Sequence, residues 1–261
     1  VPTLVTEQGI VHYEAYGRGT PVILLHGWLG SWALWRDTIE ELGKEFRMYA
    51  LDFFGFGDSL DRNANFSVEN FVDLVSQFMD RLGILSAPLV GHSMGGTVAL
   101  SVAAHYPKMV KKVVVIGAPI QGDSLRPLLK LSGNKQFANV IWKTPTLLMT
   151  FLRGYSYFMA RDGKKMSEMI SSDMSKVTVE SFFQSIGTLR ETDLRGELGE
   201  LQVPVLGIYG KRDIIVDPMQ GKVLLNHTPQ SREEWFDDAG HFPMIDVPER
   251  FHQTLRAFLK S

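Results

Sequence analysis

Apolar positions along the chain fall into two alternating patterns. Short β-rich runs at Ile10–Tyr16, Pro21–Leu25, Phe46–Leu51, Ala87–Val90 and Val113–Ile116 are separated by stretches with helical spacing at Ala33–Lys44, Val68–Leu82 and Met94–Tyr106. This alternation predicts a parallel sheet whose strands are joined by crossover helices. Ser67 stands where a helix N-cap is expected, and Gly83 where the same helix should end. The run Val113-Val114-Val115-Ile116 is apolar on both of its faces, as interior strands of parallel sheets are.

After Gly117 the alternation stops. From about Gln121 to Leu198 the chain is rich in Met, Phe and Leu at helical spacing, with no strand-like run. It resumes with a strand at Val205–Ile208, a helix near Met219–Leu225, a strand at Glu233–Phe236 and a terminal helix at Pro248–Leu259. The economical expectation is one α/β domain in two halves, residues 1–120 and 199–261, with a helical cap over 121–198 inserted between them.

Composition narrows the function classes. The chain has 261 residues, 44% of them hydrophobic and 21% charged, which suits a large buried core and argues against disorder. Its formal net charge of −2 gives no surplus of Lys and Arg to attract nucleic acid. There is no cysteine, hence no disulfide, no thiolate metal site and no cysteine nucleophile. No apolar run approaches the roughly 20 residues that span a bilayer, so no stable membrane insertion is expected. No signal peptide is visible, and a cytoplasmic location is the expectation.

The strongest local signal is Gly91-His92-Ser93-Met94-Gly95-Gly96, between the strand at Ala87–Val90 and the helical stretch that follows. A serine in G-x-S-x-G at such a junction sits on a sharp turn that exposes its Oγ at the carboxyl edge of the sheet. The alternative is a Gly-rich turn with an ordinary serine. A serine hydroxyl needs an adjacent base, itself oriented by a third group. His241, in Asp238-Ala239-Gly240-His241-Phe242 directly after the last strand, is the candidate base; His227 and His252 fall on helices and are expected to face solvent. Asp213, in Gly210-Lys211-Arg212-Asp213, follows the preceding strand and is the candidate orienting carboxylate. Asp217 competes with it, although Asp217-Pro218 reads as a helix start. The N–H groups of Met94 and of Trp28, in His26-Gly27-Trp28-Leu29-Gly30, are the candidate oxyanion donors.

These segments, together with Asp52-Phe53-Phe54-Gly55-Phe56-Gly57-Asp58-Ser59, resemble the α/β-hydrolase superfamily in order and over nearly the whole chain. The resemblance implies a mostly parallel central sheet flanked by helices, a serine nucleophile, and a lid inserted after the sixth strand. It also implies that the Asp52–Ser59 segment is a structural turn and that His92 packs beneath the nucleophile. Haloalkane dehalogenases and epoxide hydrolases place aspartate where Ser93 stands. The menaquinone-pathway lyases carry arginine where Thr97 stands. Perhydrolases usually have proline where Leu29 stands, and C–C bond hydrolases favour a Gly-Pro-Gly loop that is missing here. A carboxylesterase-like serine hydrolase acting on a small-molecule ester, with no cofactor and no metal, is therefore the expectation. C–C bond hydrolysis, perhydrolysis or menaquinone-pathway-type lyase chemistry on the same triad, or a non-catalytic ligand-binding receptor of the same fold, are the alternatives. Trp142, Met149, Phe151, Tyr155, Phe158 and Phe242 are the candidate pocket residues for an apolar acyl or alcohol group, and Arg153, Arg161, Lys164 and Lys165 read as a solvated face.

Overall fold

The computed structural model of the chain describes residues 2–62, 65–126 and 145–261. Its frame is one sheet with strands β1 (Thr3–Val5), β2 (Gly9–Tyr16), β3 (Pro21–Leu25), β4 (Arg47–Leu51), β5 (Leu60–Asp61), β6 (Ala87–His92), β7 (Val110–Ile116), β8 (Val205–Gly210) and β9 (Ser231–Phe236). The spatial order is β1-β2-β4-β3-β6-β7-β8-β9, with β5 paired to β2. Contacts of β2 with β1, β4 and β5 are antiparallel; the pairs from β4 through to β9 are parallel.

Alternation along the buried strands splits the core into two layers. Ile23, Leu25, Leu89, Val113 and Val115 face one layer. Val22, Leu24, Val90, Val114 and Ile116 face the other. The continuous apolar runs are thus period-two strands with both faces covered. Helices α2 (Val68–Arg81) and α3 (Met94–His105) cover the first layer, while α1 (Arg36–Leu42) and the terminal α10 (Pro248–Lys260) cover the second. Ser67 caps α2 by accepting the Asn70 N–H at 3.2 Å. Ile84 and Gly83 close its end through bonds to the Met79 and Asp80 carbonyls.

Two expectations need correction. The stretch 33–44 is not one helix but a 3-10 turn, Trp32–Trp35, running into α1. His252 does not face solvent: it is buried, with Nε2 3.1 Å from Thr38 Oγ1 on α1. It lies on the same stripe of α10 as Phe251, Leu255, Phe258 and Leu259, the face that packs inward. Strands β1 and β5 were not anticipated, being too short to show a period.

Between β7 and β8 the regular elements among the described residues are a 3-10 turn, Gly122–Ser124, and helices α4 (Pro145–Met159), α5 (Gly163–Met174), α6 (Val179–Glu191) and α7 (Arg195–Leu198). After β8 come α8 (Gln220–His227) and, beyond β9, α9 (Pro243–Asp246). The basic residues of the insert behave as a solvated face. Lys165 pairs with Asp37, Arg161 lies 3.8 Å from Asp238, Arg153 bonds the Ser171 hydroxyl, and Lys164 is exposed. No helix of the described residues is long and apolar enough to cross a membrane.

Topology prepares a crevice. The chain leaves β3 for β4 on one side and then returns through α2 to β6 on the other. At such a reversal in an open α/β sheet, the carboxyl ends of the strands are where ligands bind.

Candidate active site

Ser93 sits between β6 and α3 at φ 51° and ψ −121°, a backbone conformation rare for a residue with a side chain. The strain is held by packing that only glycine permits. A Cβ on Gly91 would lie 2.1 Å from the Gly95 carbonyl oxygen, and one on Gly95 would lie 2.5 Å from the carbonyl oxygens of Leu25 and His26. The spacing of the motif therefore reflects the close approach of α3 to β6 and β3. The Ser93 N–H donates to Ile116 O on β7 at 2.8 Å, fixing the elbow to the next strand.

The His241 Nδ1–H donates to Asp213 Oδ2 at 2.7 Å, and both side chains are almost fully buried. Asp213 Oδ1 accepts the N–H groups of Ile215 at 2.7 Å and Val216 at 2.9 Å, so the carboxylate cannot rotate away. Asp217 instead accepts the Met219 N–H at 3.1 Å ahead of α8, which separates the two competing aspartates by geometry. Ser93 is buried, and its hydroxyl makes no hydrogen bond among the described residues. The structure thus joins His241 to Asp213 and places Ser93 after β6, two strands away from β8 in the sheet, without a closed bond from serine to imidazole. Such bonds are often long or misaligned before substrate binds.

Two further histidines brace this arrangement. The His92 Nε2–H donates to the His241 carbonyl at 2.9 Å, and burial together with the neighbouring His241 holds the His92 imidazole well below its ordinary pKa. The His26 Nδ1–H donates to Gly27 O at 2.7 Å while its Nε2 accepts the Phe53 N–H at 2.9 Å. Burial lowers the pKa of His26 too, and its two bonds suit the neutral ring. His26 therefore ties the loop after β3 to the end of β4. In that loop Gly30 N–H closes a turn on Gly27 O, and Leu29 takes φ 59°. A Cβ on Gly27 would lie 3.0 Å from Ser93 Cβ, so the loop passes directly beside the serine. The backbone N–H groups of Trp28 and Met94 have no protein acceptor among the described residues.

Gly117 and Asp246 escaped the sequence reading. Gly117 adopts φ 56°, and a Cβ there would lie 3.0 Å from His241 Nδ1 and 3.4 Å from Asp213 Oδ2. Replacing it with alanine should cost about 1–2 kcal/mol of backbone strain and push the imidazole out of line. We expect G117A to melt several degrees lower and to lose about 10²-fold in kcat, because small misplacements of reacting groups are costly; thermal unfolding and steady-state kinetics check both. Buried Asp246 accepts the Gly240 N–H and the Arg161 N–H, each at 2.7 Å, clamping the His241 turn to the segment between α4 and α5. Asp52 takes the Trp32 and Asp58 N–H groups and lies 2.6 Å from His12 Nδ1, which raises the His12 pKa, the hydrogen bond to Asp52 being the main cause. The Asp52–Ser59 segment is therefore a structural turn. His12, Asp52 and Asp58 lie close enough to hold a cation, but the His12–Asp52 bond and the Lys176–Asp58 ion pair already occupy them.

The candidate pocket residues divide. Phe151, Tyr155 and Phe158 share one face of α4, with Tyr155 half-buried between two exposed phenylalanines and stacked on Phe151 at 5.9 Å. Tyr155 lies near enough to Asp213 that burial and this carboxylate both raise its hydroxyl pKa. Phe242 packs on His92 at 4.7 Å and stands perpendicular to His241. Met149 is half-buried against the core. Phe158, 77% exposed, is not drawn in. Trp142 lies outside the described residues.

With its sheet order and this elbow, the chain belongs to the α/β-hydrolase fold family, whose model matches residues 20–248. It is similar to the pimeloyl-(acyl-carrier protein) methyl ester esterase of Vibrio campbellii, at 28% identity over 258 residues covering 95% of this chain and 98% of that protein. Among solved structures it resembles a thermophilic esterase from Thermogutta terrifontis, at 26% identity and TM-score 0.84, covering 99% of this chain and 96% of that one. A meta-cleavage product hydrolase from Pseudomonas fluorescens shares 26% identity at TM-score 0.82, covering 100% and 97% of the two chains.

Proposed function

We propose that this α/β hydrolase is a carboxylesterase-type enzyme that cleaves esters through a covalent acyl-serine. Ser93 Oγ attacks the carbonyl carbon while its proton passes to His241 Nε2. The tetrahedral adduct collapses, and the departing alkoxide takes that proton. A water then attacks the acyl-serine, giving one proton to His241, and the carboxylic acid leaves as Ser93 regains it. Asp213 holds the imidazole tautomer and balances its transient charge. The N–H groups of Trp28 and Met94 receive the oxyanion in both steps.

The observation that supports this reading is the buried His241–Asp213 pair, together with the strained backbone of buried Ser93 and two backbone N–H groups that have no protein acceptor among the described residues. Helices α4 to α7, the described part of the 121–198 insert, act as a cap. The stacked Phe151 and Tyr155, with Phe242, offer apolar surface for the acyl or alcohol group. Relatives named as esterases of pimeloyl-(acyl-carrier protein) methyl ester support ester cleavage by this chain. Treatment with a fluorophosphonate is expected to add one mass-detectable adduct on Ser93 and none in H241A. Labelling elsewhere, or none in the parent enzyme, would count against the mechanism. A second reading, C–C bond hydrolysis on the same groups, draws support from the meta-cleavage neighbour. A panel pairing p-nitrophenyl esters with a vinylogous diketone separates the two.

A further inference from the structure

The loop that carries Trp28 is held from the cap side at two points. The Trp28 indole Nε1–H donates to Phe182 O on α6 at 3.2 Å, and the rings of Trp28 and Phe182 lie 4.6 Å apart. Three residues further on, Ser31 Oγ donates to Asp173 Oδ1 on α5 at 2.8 Å and accepts the Ala33 N–H at 3.2 Å. Ser31 and Asp173 are both buried, so water does not substitute readily for either partner. His26 fixes one end of the loop, and Ser31 fixes the other.

Resting on the acyl-serine reading above, we propose that the Asp173 carboxylate is a positioning residue for ester cleavage, acting through Ser31 to hold the Gly27–Ser31 turn where the Trp28 N–H meets the oxyanion. Asp173 touches no reacting atom. Its effect passes through one hydroxyl, from α5 to the loop after β3. A charged acceptor makes the stronger and shorter bond, so the hold weakens when the carboxyl is neutral.

The electrostatic surroundings make this hold sensitive to pH. Burial pushes the Asp173 carboxyl up to about 6; Asp52 and Asp58 from the turn after β4 push the same way, against the Ser31 bond and Lys176. His12 on β2 lies against Asp52, and Lys176 pairs with Asp58, so these charges are themselves partnered. Arg153 of α4 meets α5 at Ser171. The folded group binds its proton more tightly than an exposed aspartate. It is therefore ionised, and the turn firmly held, only as pH rises past about 6.

The test is a cycle of S31A, D173N and the double variant, read with p-nitrophenyl butyrate beside S93A. Loss of a whole oxyanion donor costs about 10²–10³ in turnover; loosening one is expected to lower kcat about tenfold in each single variant, with KM within twofold. The double variant should be no worse than the poorer single, because both act through one bond. S31T, which keeps the hydroxyl, should recover kcat to within about threefold, whereas a lost helix cap alone would appear in thermal unfolding and not in kcat. The ratio of parent to D173N kcat should be about ten above pH 7 and near one below pH 5. Losses that multiply, a ratio independent of pH, or single variants within twofold of the parent overturn the inference while an inactive S93A leaves the acyl-serine reading standing. An active S93A removes both. If D173N does not fold, S31A with S31T carries the decision.

Discussion

Replacing Ser93 with alanine is expected to lower turnover of p-nitrophenyl butyrate by about 10⁴–10⁶-fold while leaving thermal unfolding essentially unchanged. The two halves of this expectation have separate causes. In the proposed mechanism activity depends on the hydroxyl as the atom that bonds to the acyl group, and the alanine methyl group cannot form that bond. Stability depends on the backbone: the Ser93 N–H bond to Ile116 O and the positive φ are both retained by alanine. Because the hydroxyl has no hydrogen-bond partner among the described residues, its removal orphans no buried group. Turnover within tenfold of the parent would end the serine mechanism.

The second large effect belongs to Asp213. An asparagine there keeps one oxygen for the Ile215 and Val216 N–H groups and turns its amide toward His241. That amide donates where the carboxylate accepted, so Nδ1 must give up its proton and the ring adopts the tautomer with Nε2–H. A protonated Nε2 cannot take the Ser93 proton. D213N is therefore expected to lose about 10⁴-fold in kcat with little change in KM, as tautomer reversal does in serine hydrolases generally. D217N is the control: its side chain bonds the Met219 N–H, remote from the imidazole, and its kcat should stay within threefold. A mild effect in D213N with a severe one in D217N would reverse the assignment of the orienting carboxylate.

What could be read before folding was local in sequence. The elbow was legible because strand, glycines, serine and helix occupy one short stretch, and Gly91 and Gly95 answer to a contact within that stretch and with β3. Strand boundaries such as Pro21–Leu25 were legible because apolar runs end abruptly at polar residues. What could not be read depends on partners far along the chain. Asp246 holds Gly240 and Arg161, 6 and 85 residues away. Asp173 meets Ser31 at a separation of 142 residues, and Gly117 is defined by an imidazole that its own neighbours do not predict. Nothing in local spacing marks an aspartate as buried. The inward face of His252 was missed for a simpler reason: an imidazole in an amphipathic helix reads as polar, although its stripe is the packed one.

All the groups of the proposed mechanism hang beyond one rim of the sheet, after β3, β6, β8 and β9. The opposite rim, where the short connections 83–86, 202–204 and 228–230 lead into β6, β8 and β9, holds none of them. Chemistry and scaffold therefore have separate addresses on this molecule. A surface tether, an affinity tag or a fused reporter belongs on that far rim, where it leaves the mouth of the enzyme clear.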